Sequence, residues 1–177
     1  MDAVDLYDSQ NYSSHFWMFK YEGIIRLKII DYKFNDRAHI GRGISQIIIE
    51  NSIAVNYLSN FDYIVPVPIN RGRFKERGYN QCDIIAQIIC NEIAGIELKN
   101  NIIGKKENIQ RQSGLSKLGR AQNVKHAFFV KNNINLEGKK IVIFDDIYTT
   151  GNTVNECARI LRMLGCKEIG VFTIAKD

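Results

Sequence analysis

A short apolar segment in the C-terminal third of the chain constrains its fold most strongly. Ile141 to Phe144 are four consecutive apolar residues, and two aspartates, Asp145 and Asp146, follow at once. Such a run, ending abruptly in polar residues, is typical of a central strand in a parallel sheet that is covered on both faces. We therefore expect a parallel strand at 141–144, with the acidic pair at its carboxyl end.

Strand and helix patterns alternate along the rest of the chain. Residues 12–34 predict a strand and then a helix that begins near Gly23. Further strands are expected at 61–67, 98–102, 126–130 and 168–174, and further helices at 42–58, 79–94 and 153–164. Gly165 stands where a helix C-cap glycine belongs. This alternation predicts an α/β fold with a mostly parallel, twisted sheet flanked by helices.

Length and composition fit one soluble domain. The 177 residues allow a sizeable core, so we expect a single domain over 1–177. Lysine and arginine outnumber aspartate and glutamate by 24 to 19, a balance that suits an anionic ligand or nucleic acid. No apolar run is long enough for membrane insertion. The four cysteines form no CxxC pair, which favours buried thiols in a reducing cytoplasm over a zinc site.

The residues after the acidic pair look suited to an anion. Tyr148 is followed by Thr149, Thr150, Gly151, Asn152 and Thr153, which lead into the predicted helix. Backbone N–H groups at such a turn can surround an anion, and the helix N-terminus adds its dipole. Gly151 permits a tight turn or a close approach to the ligand. The segment predicts a phosphate site, although the chain contains no GxxxxGK[ST] motif.

Carboxylates beside a phosphate site make sense if the ligand is a sugar phosphate. The loop would hold the phosphate, while Asp145 and Asp146 would accept hydrogen bonds from adjacent ribose hydroxyls, as acidic residues do in nucleotide sites. A phosphatase with Asp145 as its nucleophile is a weaker alternative. The second residue after the nucleophile would normally be acidic there, and Ile147 is not.

Two basic segments complete the pattern. Residues 69–78, "INRGRFKERG", are expected to form a loop after the 61–67 strand. Residues 104–123 are polar, basic and too long for an ordinary connection, so we expect a flexible lid. His15, His39 and His126 have no spacing typical of a metal site or a catalytic triad, and we interpret them as structural or surface residues.

Three segments carry a family resemblance. "IVIFDDIYTTGNT" (141–153) resembles the signature of type I phosphoribosyltransferases, which bind 5-phosphoribosyl-1-pyrophosphate (PRPP). "VPVPINRGRFKERGYNQ" (65–81) and "RQSGLSKLGRAQNVKHAFFV" (111–130) are similar to the ComF family, which is linked to natural competence and DNA uptake. Many members of that family begin with a four-cysteine zinc module. No residues before Tyr12 resemble one, so no such module is expected here.

The resemblance implies roles for individual residues. Asp145 and Asp146 would bind the ribose hydroxyls and, through water, Mg²⁺ as the cofactor. Residues 148–153 would hold the 5-phosphate. The pyrophosphate loop would comprise Ile69, Asn70, Arg71 and Gly72. Arg77 falls within the family-like pattern, as do Gln112 and Arg120 in the predicted lid, whereas Arg73 and Lys75 read equally well as solvated charges.

The implied reaction transfers phosphoribosyl from PRPP to an unidentified nucleophile and releases pyrophosphate. The alternative is a regulatory or DNA-uptake accessory protein that binds PRPP or a nucleotide without turnover. Single-stranded DNA and competence proteins are further expected partners. Against a DNA role, the basic loops contain few of the interleaved aromatic residues that base stacking needs.

Overall fold

Strands and helices alternate along the chain, as the sequence pattern predicts. The structure is a computed structural model that describes residues 3–6, 10–34, 38–107, 127–132 and 134–177. The strands are β1 (Ala3–Leu6), β2 (Ser14–Lys20), β3 (Tyr63–Pro66), β4 (Glu97–Leu98), β5 (Ile103–Lys105), β6 (Phe128–Val130), β7 (Lys140–Tyr148) and β8 (Glu168–Lys176). The helices are α1 (Gly23–Phe34), α2 (Ala38–Glu50), α3 (Ser52–Leu58), α4 (Arg71–Arg77), α5 (Gln81–Glu92) and α6 (Asn152–Met163).

Six strands form one sheet in the order β1-β2-β8-β7-β3-β4. All neighbours from β2 to β4 are parallel, and only β1 runs antiparallel to its neighbour β2. In the centre, Ile143 of β7 is paired with Val65 of β3 and Val171 of β8. The prediction of a mostly parallel α/β sheet with a central 141–144 strand is therefore confirmed.

The apolar run in β7 is fully buried because helices cover both faces of the sheet. Val142 and Phe144 pack into one cluster, which includes residues of α1, α2, α3 and α5. Ile141 and Ile143 point the other way, into a second cluster with α6. Side chains alternate between the two faces of a strand, so a strand covered on both sides needs apolar residues at every position.

One helix prediction and one loop prediction were wrong in detail. The expected 42–58 helix is divided into α2 and α3 at Asn51, whose side chain accepts a hydrogen bond of 2.9 Å from Ala54 N. The expected 69–78 loop contains α4. Asn70 caps its first turn by accepting a bond of 2.8 Å from Arg73 N, and Gly78 ends it at φ 77°. These local caps compensate for the absence of a buried apolar face.

Strand boundaries also differ from the prediction. β7 continues past Phe144 to Tyr148 because β8 remains alongside it, with Asp145 paired to Thr173 and Tyr148 to Lys176. The expected 98–102 strand is replaced by β4 and β5, and β5 pairs with β6 in a separate two-stranded sheet.

The predicted lid falls mostly outside the part of the chain that can be described. Gly104 and Lys105, its first residues, belong to β5. Residues 108–123 lie outside the described residues, so the lid remains a prediction. Among the described residues, no helix combines the length and apolar character that a membrane span requires.

Candidate active site

The acidic pair lies where β7 extends beyond its neighbour β3. The last pair between these strands is Pro66 with Phe144, and Val67 N then donates a bond of 2.9 Å to Phe144 O. Asp145 and Asp146 therefore follow directly beyond the edge from which the 67–70 segment departs. The carboxyl ends of adjacent parallel strands form a crevice, which is the usual ligand site of open α/β sheets.

A lysine that sequence reasoning missed neutralises one carboxylate. Lys33 Nζ, in the last turn of α1, lies 2.8 Å from each carboxylate oxygen of Asp146. Both side chains are largely buried, with 20% of Lys33 and 14% of Asp146 exposed. Lys33 is 113 positions away from Asp146 in the sequence. In the sequence, Lys33 is only one basic residue near the end of a predicted helix, and nothing local links it to Asp146.

Two further cations lie within electrostatic reach of the pair. Burial lowers the pKa of Lys105, and the negative charges of Asp145 and Asp146 oppose that shift. Burial also lowers the pKa of Arg77, again opposed by the charge of Asp146. Arg77 was predicted as a site residue, whereas Lys105 was included only in the predicted lid at 104–123. The Lys105 ammonium is instead half-buried over the Phe128 ring, 4.8 Å from its centroid.

The environment of Asp145 works against its negative charge. Burial raises the pKa of this carboxyl, the neighbouring Asp146 raises it further, and Lys33 and Lys105 oppose the shift. Asp145 Oδ1 accepts a bond of 2.9 Å from the backbone N–H of Asp146. A buried carboxylate with few donors around it gains free energy when a ligand supplies hydroxyl donors or a cation.

Cys82, in the first turn of α5, is a third group at the acidic pair. Its Sγ lies 3.9 Å from Asp145 Oδ1, and single ligand atoms of Cys82, Asp145 and Asp146 all lie within 4.8 Å of one another. Burial and the two carboxylates raise the pKa of Cys82 well above its usual value, so its thiol remains protonated. The donors of this cluster are therefore carboxylate oxygens, which suit a hard cation such as Mg²⁺.

The predicted phosphate segment forms the turn between β7 and α6. Thr149 and Thr150 are exposed, and Asn152 and Thr153 begin the helix. Gly151 precedes α6 with φ 73°, and among the described residues no side-chain cap bond is made to the first turn. The first N–H groups of a helix have no partner within it, so those of α6 are available to an anion.

The side chain of Tyr148 lies beneath this turn. Tyr148 is buried, and its hydroxyl lies 2.9 Å from the hydroxyl of Tyr12. Its ring stacks on His15 at a centroid distance of 4.2 Å. Tyr148 was predicted to bind phosphate together with residues 149–153. Phosphate binding at Tyr148 remains a prediction, and its side chain packs beneath the turn.

The predicted pyrophosphate loop is the connection between β3 and α4. Ile69 is half-buried, Asn70 is buried as the helix cap, and Arg71 and Gly72 are exposed in the first turn of α4. This segment leaves the same edge of the sheet as the acidic pair. Gln112 and Arg120, the other predicted contacts, lie outside the described residues.

Known proteins with similar sequences agree with this architecture. The model of the phosphoribosyl transferase domain family matches residues 77–177. Competence protein F of Haemophilus influenzae is 32% identical over 149 residues, which are 82% of this chain and 65% of that protein. Competence protein ComFC of Streptococcus pneumoniae is 26% identical over 163 residues, which are 92% of this chain and 68% of that protein. The expected resemblance to competence proteins is confirmed.

Further similarities extend to DNA utilization proteins and to a solved structure. DNA utilization protein YhgH of Escherichia coli K12 is 27% identical over 147 residues, 81% of this chain and 63% of that protein. Adenine phosphoribosyltransferase from Leishmania tarentolae superposes with a TM-score of 0.49 at 9% identity, covering 99% of this chain and 95% of that one. The chain thus spans about two thirds of the length of the curated relatives it matches.

Proposed function

The chain belongs to the phosphoribosyl transferase domain family, and on that premise we propose that it binds PRPP and transfers its phosphoribosyl group to a nitrogen nucleophile. One observation carries the proposal. The acidic pair, the phosphate turn and the pyrophosphate loop all lie at one edge of the sheet, where β3 and β7 end. PRPP has a diol, a 5-phosphate and a diphosphate, and each would meet one of these segments.

Asp145 and Asp146 would accept hydrogen bonds from the ribose hydroxyls. The raised pKa of Asp145 supports this role, because ligand hydroxyls would replace the water that burial has removed. Asp146 is already paired with Lys33, so the ribose would share or displace that ammonium. The free energy gained at Asp146 is then smaller than at an unpaired carboxylate.

The turn at 149–153 would hold the 5-phosphate. The backbone N–H groups at the start of α6 and the exposed hydroxyls of Thr149 and Thr150 supply donors without adding a formal charge. Helix N-termini favour negative charge through the macrodipole and through their unpaired N–H groups. Exposed donors of this kind fit a phosphate that enters from solvent.

The segment Ile69–Gly72 would contact the diphosphate. Arg71 belongs to this segment, and Arg77, Lys105 and Lys33 add positive charge near the acidic pair. Cations close to the departing diphosphate stabilise the charge that develops on it. They would also hold PRPP in one orientation, which lowers the entropic part of the barrier.

The acidic pair also fits Mg²⁺, because carboxylate oxygens are the only strong ligands in the cluster formed with Cys82. When bound, Mg²⁺ would neutralise diphosphate charge and keep several of its waters. Asp145 and Asp146 would hold it through those waters.

In the proposed reaction the bond from the ribose anomeric carbon to the diphosphate oxygen breaks, and diphosphate leaves with the electron pair. The nitrogen nucleophile then forms its bond to the same carbon and loses a proton. The chain contributes by fixing the ribose at Asp145 and Asp146 and the phosphate at the turn before α6. The predicted lid at 104–123 would exclude water, which would otherwise hydrolyse the activated sugar.

A second function is favoured by the names of the relatives, competence protein F and DNA utilization protein. On this alternative the chain binds PRPP without turnover and serves DNA uptake. Arg71, Arg73 and Lys75 are exposed on α4 beside the site and could contact phosphates of single-stranded DNA. Because Arg71 would also face the diphosphate, DNA and PRPP should compete.

Three measurements test these proposals. PRPP with Mg²⁺ should raise the melting temperature, with a gain of about 2.7 kcal/mol when PRPP is 100-fold above Kd. Release of pyrophosphate, followed with a panel of bases and amines, then distinguishes an enzyme from a binding protein. Unchanged melting with millimolar PRPP and Mg²⁺ would contradict both. Fluorescence titration with single-stranded DNA, with and without PRPP, tests the DNA alternative, and PRPP-independent binding would contradict a shared surface.

A further inference from the structure

The phosphate turn contains Gly151, and a neighbouring side chain fills the space that a larger residue would need there. A Cβ atom at Gly151 would overlap the hydroxyl group of Tyr148. The φ of 73° at Gly151 also lies in the left-handed region that other residues rarely adopt. The Tyr148 hydroxyl thus lies directly against the backbone that precedes α6, and its position limits where that backbone can lie.

Tyr148 is itself held by the segment before β2. The hydroxyls of Tyr12 and Tyr148 are 2.9 Å apart and share a buried hydrogen bond, and Tyr12 is 1% exposed. His15 stacks on the Tyr148 ring, and its Nε2 shares a hydrogen bond of 2.7 Å with Thr173 Oγ1. A phenol fixed at its ring and its hydroxyl has little freedom to move away from Gly151.

The same segment also fixes the first turn of α6. Asn155, in that turn, accepts bonds of 2.9 and 3.0 Å from the backbone N–H and the side chain of Asn11. Farther along the helix, Arg162 Nε donates a bond of 3.1 Å to Asn11 O. The 11–15 segment therefore contacts the phosphate turn from below, through Tyr148, and from the side, through Asn155.

We infer that Tyr12 is a positioning residue for the 5-phosphate, acting through Tyr148 on Gly151 and the first N–H groups of α6. This inference rests on the proposed binding of PRPP. It assigns a role in the phosphate site to the 11–15 segment, which lies outside the matched family domain at 77–177. A preorganised set of donors binds its anion more tightly because less ordering remains to be done on binding.

The test measures binding of the phosphate end and of the diphosphate end of PRPP separately. Ribose 5-phosphate carries only the phosphate and the ribose, whereas pyrophosphate with Mg²⁺ probes the other end. Their affinities are measured by calorimetry for the full chain and for Tyr12→Phe. We expect Tyr12→Phe to weaken ribose 5-phosphate binding roughly threefold to tenfold, the range of one hydrogen bond, and to leave pyrophosphate affinity unchanged.

Two further variants keep the result interpretable. Ser45→Ala is the control, because the buried Ser45 hydroxyl donates a hydrogen bond of 2.8 Å to Gly41 O within α2, apart from the 11–15 segment. It should leave both affinities unchanged. Tyr148→Phe removes the Tyr12 bond from the other side, and combining it with Tyr12→Phe should be no worse than Tyr148→Phe alone.

The outcomes distinguish a failure of this inference from a failure of the proposed PRPP binding. If the unaltered chain binds neither ribose 5-phosphate nor PRPP, the proposed function fails and the inference with it. If the unaltered chain binds but Tyr12→Phe binds ribose 5-phosphate equally well, the positioning role alone is overturned. Equal loss of ribose 5-phosphate and pyrophosphate affinity in Tyr12→Phe would also overturn it, because that result indicates a general structural defect.

Discussion

The two ends of the site are built in opposite ways. The phosphate turn is one continuous segment, 148–153, which carries no formal charge and presents donors to solvent. The acidic end is assembled from β7, α1 and α5. Its carboxylates are largely buried, with Lys33 paired to Asp146 and the Cys82 thiol beside Asp145. A site of the first kind depends on backbone shape. A site of the second kind depends on charge balance, so the two ends should respond differently to substitution.

The largest effect should come from removing the charge at the acidic end. We expect Asp145→Asn combined with Asp146→Asn to weaken PRPP binding at least about 100-fold, since hydrogen bonds to charged groups contribute roughly 1.5–3 kcal/mol each. The fold should persist, because the amide keeps the carboxylate shape and relieves the burial of charge at Asp145. Calorimetric titration with PRPP and Mg²⁺ measures the loss.

A charge-matched control accompanies that variant. Glu50→Gln with Glu92→Gln removes the same two negative charges from exposed ends of α2 and α5. Glu92 lies at the opposite end of α5 from Cys82, about 15 Å away at 1.5 Å per residue. If the control loses as much affinity as the aspartate variant, net charge rather than contact with ribose explains the result.

The stability of the fold should decrease in acid because of His15, whose ring stacks on Tyr148 beneath the phosphate turn. Burial, together with the nearby Lys176, lowers the pKa of His15 from 6.5 to about 4, while Asp5 opposes the shift. The unfolded chain therefore binds more protons than the folded one between these values. The stabilisation is complete above pH 6.5 and is lost as pH falls to about 4, with a total of about 3 kcal/mol.

Urea unfolding between pH 4 and 7 checks this prediction. His15→Gln removes the titrating group and should flatten the pH dependence over that range. His39→Gln is the control, because His39 is exposed on α2 and no part of the phosphate turn. A His15→Gln chain with the same slope as the unaltered chain would show that other groups cause the acid sensitivity.

The phosphate end should also respond to a single methyl group. Gly151→Ala must accommodate a Cβ against the Tyr148 hydroxyl at a positive φ, so we expect a loss of about 1–3 kcal/mol in unfolding free energy. Ribose 5-phosphate affinity should fall with it. Gly43→Ala in α2 is the opposite case, since open space surrounds that position. It should be neutral or stabilise the fold by up to about 1 kcal/mol.

The same contrast explains what the sequence could predict. The phosphate turn was predicted from consecutive residues of the sequence, because the strand, the glycine and the start of the helix are local features. Lys33 and Cys82 were missed, because they lie 113 and 63 positions from their partners and only the fold brings them together. α4 was also missed, since its exposed, charged residues form no apolar face and its caps, Asn70 and Gly78, are the sole local signals. β7 was predicted too short, because hydrogen bonding to β8 outweighs the polar character of the aspartates.

The smallest effect should come from the lysine that balances the acidic end. Lys33→Met removes the ammonium that lies 2.8 Å from both oxygens of Asp146 and leaves the aliphatic stem in place. Because the pair is partly exposed, we expect a stability loss of only about 1 kcal/mol. Mg²⁺ should then bind more tightly, about fivefold for a similar free energy, since the ammonium paired with Asp146 no longer competes for it. Lys28→Met, at an exposed position of the same helix, changes the net charge equally and should leave Mg²⁺ affinity unaltered. Calorimetric titration with Mg²⁺ measures both variants, and weaker binding in Lys33→Met would mean that Lys33 organises the acidic pair for the metal instead of competing with it.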